Sequence, residues 1–329
     1  YFNGVLDATT GTQTVVAQTH NLNIGRRSTN SFYLNGNIDE PCIFNRAVTP
    51  AEIVTLSTAP TVDLTDLNPI AWYRNGDNGS YKSPQWLIPN NENKDNVSNY
   101  SMEFDGVDDK LDIGTSLNLG TDSTISFWIK RGRVGLNELL LGEDTYSFDN
   151  TSYIDTSNGI LFKIGTFGTA FNIFPITTIL NDTTNWINVC WVRSGDSVEL
   201  FLNGVSMQTK TGFGVVTDTR FDTIGAKPNG SLPFQGNIDE VAAWNTNTIN
   251  PTDIYNGGTP TTIVGASSYW KMGENSTFLT NWTVPDAVGS NTGTSANMTI
   301  EDRIGDAPNS TNNALSLNMD FVDVVQDTP

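Results

Sequence analysis

The chain has 329 residues, enough for two ordinary domains that each bury a core. Its 36 acidic against 17 basic side chains leave a net charge of -19, which repels phosphate backbones and argues against nucleic acid as a partner. Only 16% of the residues are charged and 37% are hydrophobic; much of the rest is Asn, Thr, Ser and Gly, which suits short strands joined by turns, and no run reaches the length of a membrane helix.

Read from the start, Tyr1-Phe2-Asn3-Gly4-Val5 returns 200 positions later as Phe201-Leu202-Asn203-Gly204-Val205. Ile24-Gly25 returns as Ile224-Gly225, and Gly36-Asn37-Ile38-Asp39-Glu40 as Gly236-Asn237-Ile238-Asp239-Glu240. A second match sets Trp72-Tyr73-Arg74-Asn75-Gly76-Asp77-Asn78 beside Trp270-Lys271-Met272-Gly273-Glu274-Asn275. Self-similarity of this kind marks repeated structural units. Residues 1–60 therefore read as the C-terminal part of one unit that begins in mid-domain, 61–67 as a linker, 68–262 as a complete unit and 266–329 as the start of a third. The tail has two readings. Ser316 to Asp323 is a worn copy of Ser101 to Asp108, or Asn318-Met319 repeats Asn297-Met298.

Within 1–60, Thr49-Pro50-Ala51-Glu52-Ile53 predicts a short capped helix, with proline at its first position. Within 68–262, Thr124 to Lys130 and Trp186 to Arg193 alternate loosely and are rich in β-branched and aromatic residues, as strands are. Val198 to Gly204 ends in Asn-Gly, a strong hairpin signal. Ile238 to Trp244 reads as a further strand, and Gly159 to Gly168 as a hairpin, not a phosphate loop. Cys42 and Cys190 lie in separate apolar runs and read as two buried free thiols.

The order Phe104-Asp105-Gly106-Val107-Asp108-Asp109, Ser126-Phe127-Trp128-Ile129, Trp186-Ile187-Asn188-Val189, Leu202-Asn203-Gly204 and Gly236-Asn237-Ile238-Asp239-Glu240 resembles the LamG-like jelly-roll family. Asn188 departs from it, standing where the family often has His. The resemblance implies an all-β fold: tandem concanavalin A-like jelly-roll sandwiches of two antiparallel sheets. It also implies a range of roles, from glycan binding and adhesion to accessory modules and virion structure.

The chemistry is sparse. His20 is the single histidine, so a His-based metal site or a nucleophile–His pair is not expected. The paired-carboxylate pattern Glu-x-Asp-x-x-Glu of retaining hydrolases on this fold is absent, and Glu138, Glu143 and Asp144 are the nearest group. No enzyme activity is expected. Calcium is the cofactor that the acids suit, with Asp105, Asp108 and Asp109 in one turn, and Asp77 approaching Asp239 or Glu240 where opening and closing strands run together. For sugars, Tyr81, Trp86, Tyr146 and Tyr153 fall in expected loops, whereas Trp72, Trp128, Trp186, Trp191 and Trp244 are expected in the core.

The expected function is a non-catalytic structural or adhesive surface protein. The Asn/Thr/Gly-rich tandem style resembles structural proteins of marine bacteriophages, so a virion fibre or decoration is the first reading. A bacterial cell-surface adhesin or an accessory module of a carbohydrate-active enzyme is the alternative. The expected partners are glycans or a host surface, other virion or surface proteins, and further copies of the chain.

Overall fold

The computed structural model describes residues 1–7, 22–26, 32–58, 64, 67–73, 80–82, 85–88, 98–145, 148–164, 172–174, 178–215, 218–308 and 314–315. They begin with β1 (Cys42–Ile43), α1 (Pro50–Ser57), β2 (Ala71–Trp72), β3 (Ser80–Lys82), β4 (Gln85–Ile88), β5 (Ser101–Asp105), β6 (Lys110–Asn118) and β7 (Asp122–Arg131). Then come β8 (Glu138–Thr145), β9 (Phe148–Ile154), β10 (Ile160–Lys163), β11 (Asn172–Phe174), β12 (Ile187–Ser194), β13 (Ser197–Leu202), β14 (Val205–Thr211) and β15 (Arg220–Ile224). The last are β16 (Gln235–Trp244), α2 (Pro251–Tyr255), β17 (Ser268–Trp270), β18 (Thr277–Phe278), β19 (Trp282–Val284), β20 (Gly293–Ala296), β21 (Arg303–Ile304) and β22 (Ala314–Leu315). The chain divides into two compact units: residues 1–79, 84–95 and 311–329, and residues 80–83 and 96–310.

The second unit is a sandwich of two antiparallel sheets. One runs β11-β10-β9-β8-β15-β6-β20-β19-β18, and the other β14-β13-β12-β7-β16-β5-β21 with β17 added beside β16. Alternation along β13 puts Val198, Leu200 and Leu202 inside, all fully buried. They meet Phe104, Phe127, Ile129, Leu140, Ile154 and Phe234 in the core. Trp191 lies between Phe162 and Phe174, with ring centroids 4.8 and 4.9 Å away. Each such side chain contributes about 1.5–3 kcal/mol by leaving water.

β16 is buried along nearly its whole length because it is covered on both faces. Ile238, Val241 and Ala243 face the main core; Ala242 and Trp244 face a smaller cluster with Cys190, Ile254 and Tyr269. Helix α2 supplies Ile254 to that cluster and is capped by the Asn250 side chain, which accepts from Thr252 N.

The expected strands at 124–130, 187–193, 198–202 and 238–244 are present, and Asn203 and Gly204 turn the β13–β14 hairpin with φ of 51° and 71°. Gly159 ends the turn between β9 and β10, while 165–168 lie outside the described residues. In the first unit, the predicted helix is α1, held by a capping box between Thr49 and Glu52. Positive φ recurs at the 200-residue offset in Asn3 and Asn203, Phe32 and Leu232, and Glu40 and Glu240.

Strands within 268–304 complete the sandwich: β17 and β21 join the sheet of β16 and β5, while β20, β19 and β18 extend the other from β6. The compact unit that holds it comprises residues 80–83 and 96–310. Two expectations change. Both cysteines are free, but only Cys190 is buried and Cys42 is half-buried. Trp186 is half-buried at the sandwich surface, its indole N–H donating to Asp306 Oδ1 at 3.0 Å, whereas Trp72, Trp128, Trp191 and Trp244 are buried as expected.

Candidate functional site

A buried carboxylate cluster forms where β16 breaks its register. In a regular strand neighbouring side chains point to opposite faces, so Asp239 and Glu240 would diverge. The pairing of β16 with β7 shifts between Asp239 and Ala242, and Glu240 takes a left-handed φ of 51°. This bulge turns both carboxylates to one place. Glu274 arrives from the turn after β17, and one carboxylate oxygen from each of the three residues lies within 4.8 Å of the other two.

That arrival depends on Gly273: a Cβ there would stand 2.2 Å from Tyr100 Cβ. The close approach lets Glu274 Oε1 accept from the backbone N–H groups of Asn99 and Tyr100, the latter at 2.8 Å. Asp239 accepts from Ser98 Oγ and from Glu240 N, and Glu240 Oε2 accepts from the Tyr269 hydroxyl. Among the described residues, Glu240 Oε1 and Glu274 Oε2 have no hydrogen-bond partner.

Asp239 is 0% and Glu240 3% exposed, and Glu274 is half-buried. Burial raises all three carboxyls: Asp239 well above the usual range, with Glu240 and Glu274 adding to it; Glu240 to about 8, with Glu274 adding and Lys271 opposing; and Glu274 to about 7, against backbone N–H groups and Lys271. Tyr269 is raised as well, by burial and by the Glu240 charge.

Asp77, expected to approach Asp239 or Glu240, lies outside the described residues; the acid that stands beside them is Glu274. The pairing explains the exchange. In the first unit Trp72 pairs with Cys42 and donates its indole N–H to Glu40 Oε2, and in the sandwich Tyr269 pairs with Ala242 and donates to Glu240 Oε2. Trp72 thus corresponds to Tyr269, one residue before the Trp270 of the sequence match. Counted on from there, Asp77 corresponds to Glu274. Glu40 N donates to Asp39 Oδ1 at 2.8 Å, as Glu240 N does to Asp239 Oδ1 at 2.9 Å.

The second acidic group, Asp105, Asp108 and Asp109, does come together. Asp105 Oδ1 accepts from Val107 N at 2.7 Å, and Asp109 Oδ2 accepts from Asp105 N at 2.9 Å, which is the hydrogen bonding of an Asx turn. Asp109 is 3% exposed, and burial raises its carboxyl to about 7.

The acids nearest to a hydrolase pair are committed elsewhere. Glu138 is buried between Arg131, at 2.8 Å, and Arg133, at 2.7 Å. Glu143 accepts from Asn150 Nδ2 at 2.6 Å. Of the expected sugar-binding aromatics, Tyr81 and Trp86 stand in β3 and β4 rather than in loops, and Tyr153 is half-buried in β9. The side chains of Tyr81 and Trp86, and the whole of Tyr146, His20 and the side chain of Asp144, lie outside the described residues. A cavity of about 10 Å³ between the sheets, lined by Leu141, Ser152, Phe162 and Phe221 among others, has room for a water and not for a sugar ring.

No described helix is long and apolar enough to cross a membrane. No curated protein matches the chain. Among solved structures, it is similar to a putative carbohydrate binding protein from Bacteroides ovatus, with 15% identity and a TM-score of 0.46 over 68% of this chain and 60% of that one. It therefore spans less than two thirds of that relative. It is also similar to a heptameric SAP-like pentraxin from Limulus polyphemus (16% identity, 58% of this chain and 94% of that, TM-score 0.42) and to domains LG4-5 of the mouse laminin alpha1 chain (16%, 45% and 41%, 0.36). A family model matches residues 1–54 and 105–255, more than half of the chain, and with two antiparallel sheets facing one core the chain belongs to the concanavalin A-like lectin/glucanases superfamily.

Proposed function

We propose that this chain is a non-catalytic glycan-recognition module of a surface-displayed, repeat-built adhesive or structural protein, of the kind carried by virion fibres and decorations. Membership of the lectin/glucanase superfamily over 1–54 and 105–255 carries the reading. It is supported by the commitment of Glu138 to two arginines and of Glu143 to Asn150, which leaves neither as a free acid–base pair. Sugars stack on aromatic faces, and Tyr81, Trp86, Tyr146 and Tyr153 are the aromatics to test. A glycan array probed with the intact chain checks this, the expected result being selective retention that the free sugar competes away. Folded protein retained on no glycan overturns recognition, and release of cleaved sugar overturns the non-catalytic assignment. Sedimentation with particles tests display on a virion; recovery only as free monomer overturns that part.

A further inference from the structure

We propose that the first unit is an acceptor for strands: its apolar face, carried by Phe2, Ile24, Leu34 and Ile38, docks the half-sandwich of a further repeat of the same kind, with antiparallel strands equivalent to β5, β7 and β12. The sandwich itself shows the form of that partner, because it holds the second copy of the same residues, 200 positions on. This role is separate from sugar recognition.

The first unit keeps the local pairings of its copy without the distant ones. Phe2 bridges Val5 as Leu202 pairs with Val205, and β1 pairs with β2 as β16 pairs with β17. Leu34 N donates to Gly25 O at 2.8 Å, as Phe234 N does to Gly225 O at 2.7 Å. In the sandwich, Ala242 and Ala243, the counterparts of Cys42 and Ile43 in β1, also pair with Ser126 and Ile125 of β7, and Leu202 pairs with Val189 of β12. Among the described residues, β2 is the one strand beside β1. The side chains record the difference. Phe2, Ile24, Leu34 and Ile38 are 77%, 41%, 52% and 36% exposed, while Leu202, Ile224, Phe234 and Ile238 are at most 1% exposed in one core. Apolar surface held open in this way marks a place of interaction.

Two glycines give the shape of the partner. A Cβ on Gly225 would stand 2.2 Å from the Phe104 ring of β5, and one on Gly236 would stand 2.1 Å from Lys130 O of β7. Gly25 and Gly36 repeat these glycines. Yet a Cβ on Gly25 would meet only Ile38, at 3.7 Å, and one on Gly36 would meet nothing within 4 Å among the described residues. Gly36 has no positive φ either, so no described contact or turn of the first unit calls for glycine there. What suits it is a strand backbone passing close, and what suits Gly25 is a seated aromatic ring. The matching partner is therefore a set of extended strands with alternating apolar side chains, which adds to the edge of β1 by backbone hydrogen bonds.

The test compares the intact chain with the same chain carrying a copy of residues 96–200 joined ahead of Tyr1, in register because Tyr1 corresponds to Phe201. Cys42 is the reporter: it is half-buried, whereas its counterpart Ala242 is fully buried in one cluster with Cys190 of β12. Thiol labelling under native conditions, followed at Cys42 by peptide mass, is expected to be at least about tenfold slower in the extended chain. Gly36→Ala is expected to leave labelling and melting of the intact chain unchanged and to return Cys42 of the extended chain to fast labelling. Equal labelling of Cys42 in the two chains overturns the proposal. So does a Gly36→Ala variant that destabilises the intact chain, since the glycine would then serve the first unit itself. A concentration-dependent dimer of the intact chain that Phe2→Asp dissolves also overturns it, because the occupant would then be a second copy. These last two measurements need only the intact chain and decide if the extended one does not fold. None of them depends on glycan binding, so this proposal and the sugar reading fail separately.

Discussion

At the scale of residues, the ionised groups inside the sandwich differ in how they are compensated. Glu138 is fully buried, but it is met by two guanidiniums and the backbone N–H of Gln235. Removing one partner of such a pair leaves charge stranded in a poor solvent. Glu138→Ala is therefore expected to destabilise the sandwich by about 3–5 kcal/mol, measured by urea unfolding. Asp109 is the opposite case, with its carboxyl raised to about 7 chiefly by burial. A carboxyl raised on folding binds its proton more tightly in the native state, so its contribution is complete below about pH 4, the unfolded value, and fades as pH climbs towards 7. Asp109→Asn carries no such dependence. Its melting temperature relative to wild type is expected to rise between pH 4 and pH 8, and a constant difference across that range would exclude the assignment. The turn holding Asp109 was legible from Phe-Asp-Gly-Val-Asp-Asp; its burial was not, because that depends on what packs over the turn.

At the scale of elements, β16 carries the fold. It pairs with β7 on one side and with β5 and β17 on the other. Gly236, near its start, has a φ of 132°, and a Cβ there would come 2.1 Å from Lys130 O in β7. The obstacle is backbone and cannot swing away. Gly236→Ala is expected to cost about 3 kcal/mol or more and to push β16 off β7, read as lost amide-exchange protection in both strands. The strand itself was readable from Ile238 to Trp244, as was the hairpin from Asn203-Gly204 and helix α1 from its Thr-Pro-x-Glu start. The bulge was not. Glutamate at a left-handed φ runs against local preference, and in the sandwich β7, β5 and β17 hold the backbone on both sides of it.

At the scale of the molecule, the sequence unit and the folded unit are offset. The stretch that opens each sequence unit pairs with the closing strand of the unit before it: β2 with β1, and β17 with β16. Trp270, Met272, Trp282 and Val284 are all within 2% of full burial in the sandwich core. Together they bring more burial energy than a marginally stable domain can lose. A fragment of residues 68–262 is thus expected to lack a cooperative unfolding transition and near-ultraviolet circular dichroism, while residues 96–310 show both. Equal cooperativity in the two fragments would refute the boundary. Apolar residues at matching places in the two copies meet different fates. Phe2, Ile24 and Leu34 are 77%, 41% and 52% exposed in the first unit, whereas Leu202, Ile224 and Phe234 are fully buried by strands of the sandwich.

The sequence by itself determined the all-β class, the main strands, the helix caps and the repeated Gly-Asn-Ile-Asp-Glu element, since each rests on local preference or on composition. It also sets Gly76-Asp77 and Gly273-Glu274 at matching places. Only the tertiary structure brought Glu274 to Asp239 and Glu240 and showed which strands complete the sandwich. These depend on contacts between residues as far apart as Tyr100 and Glu274, and such partners are chosen by the competition of whole strands for the core, not by the residues beside them.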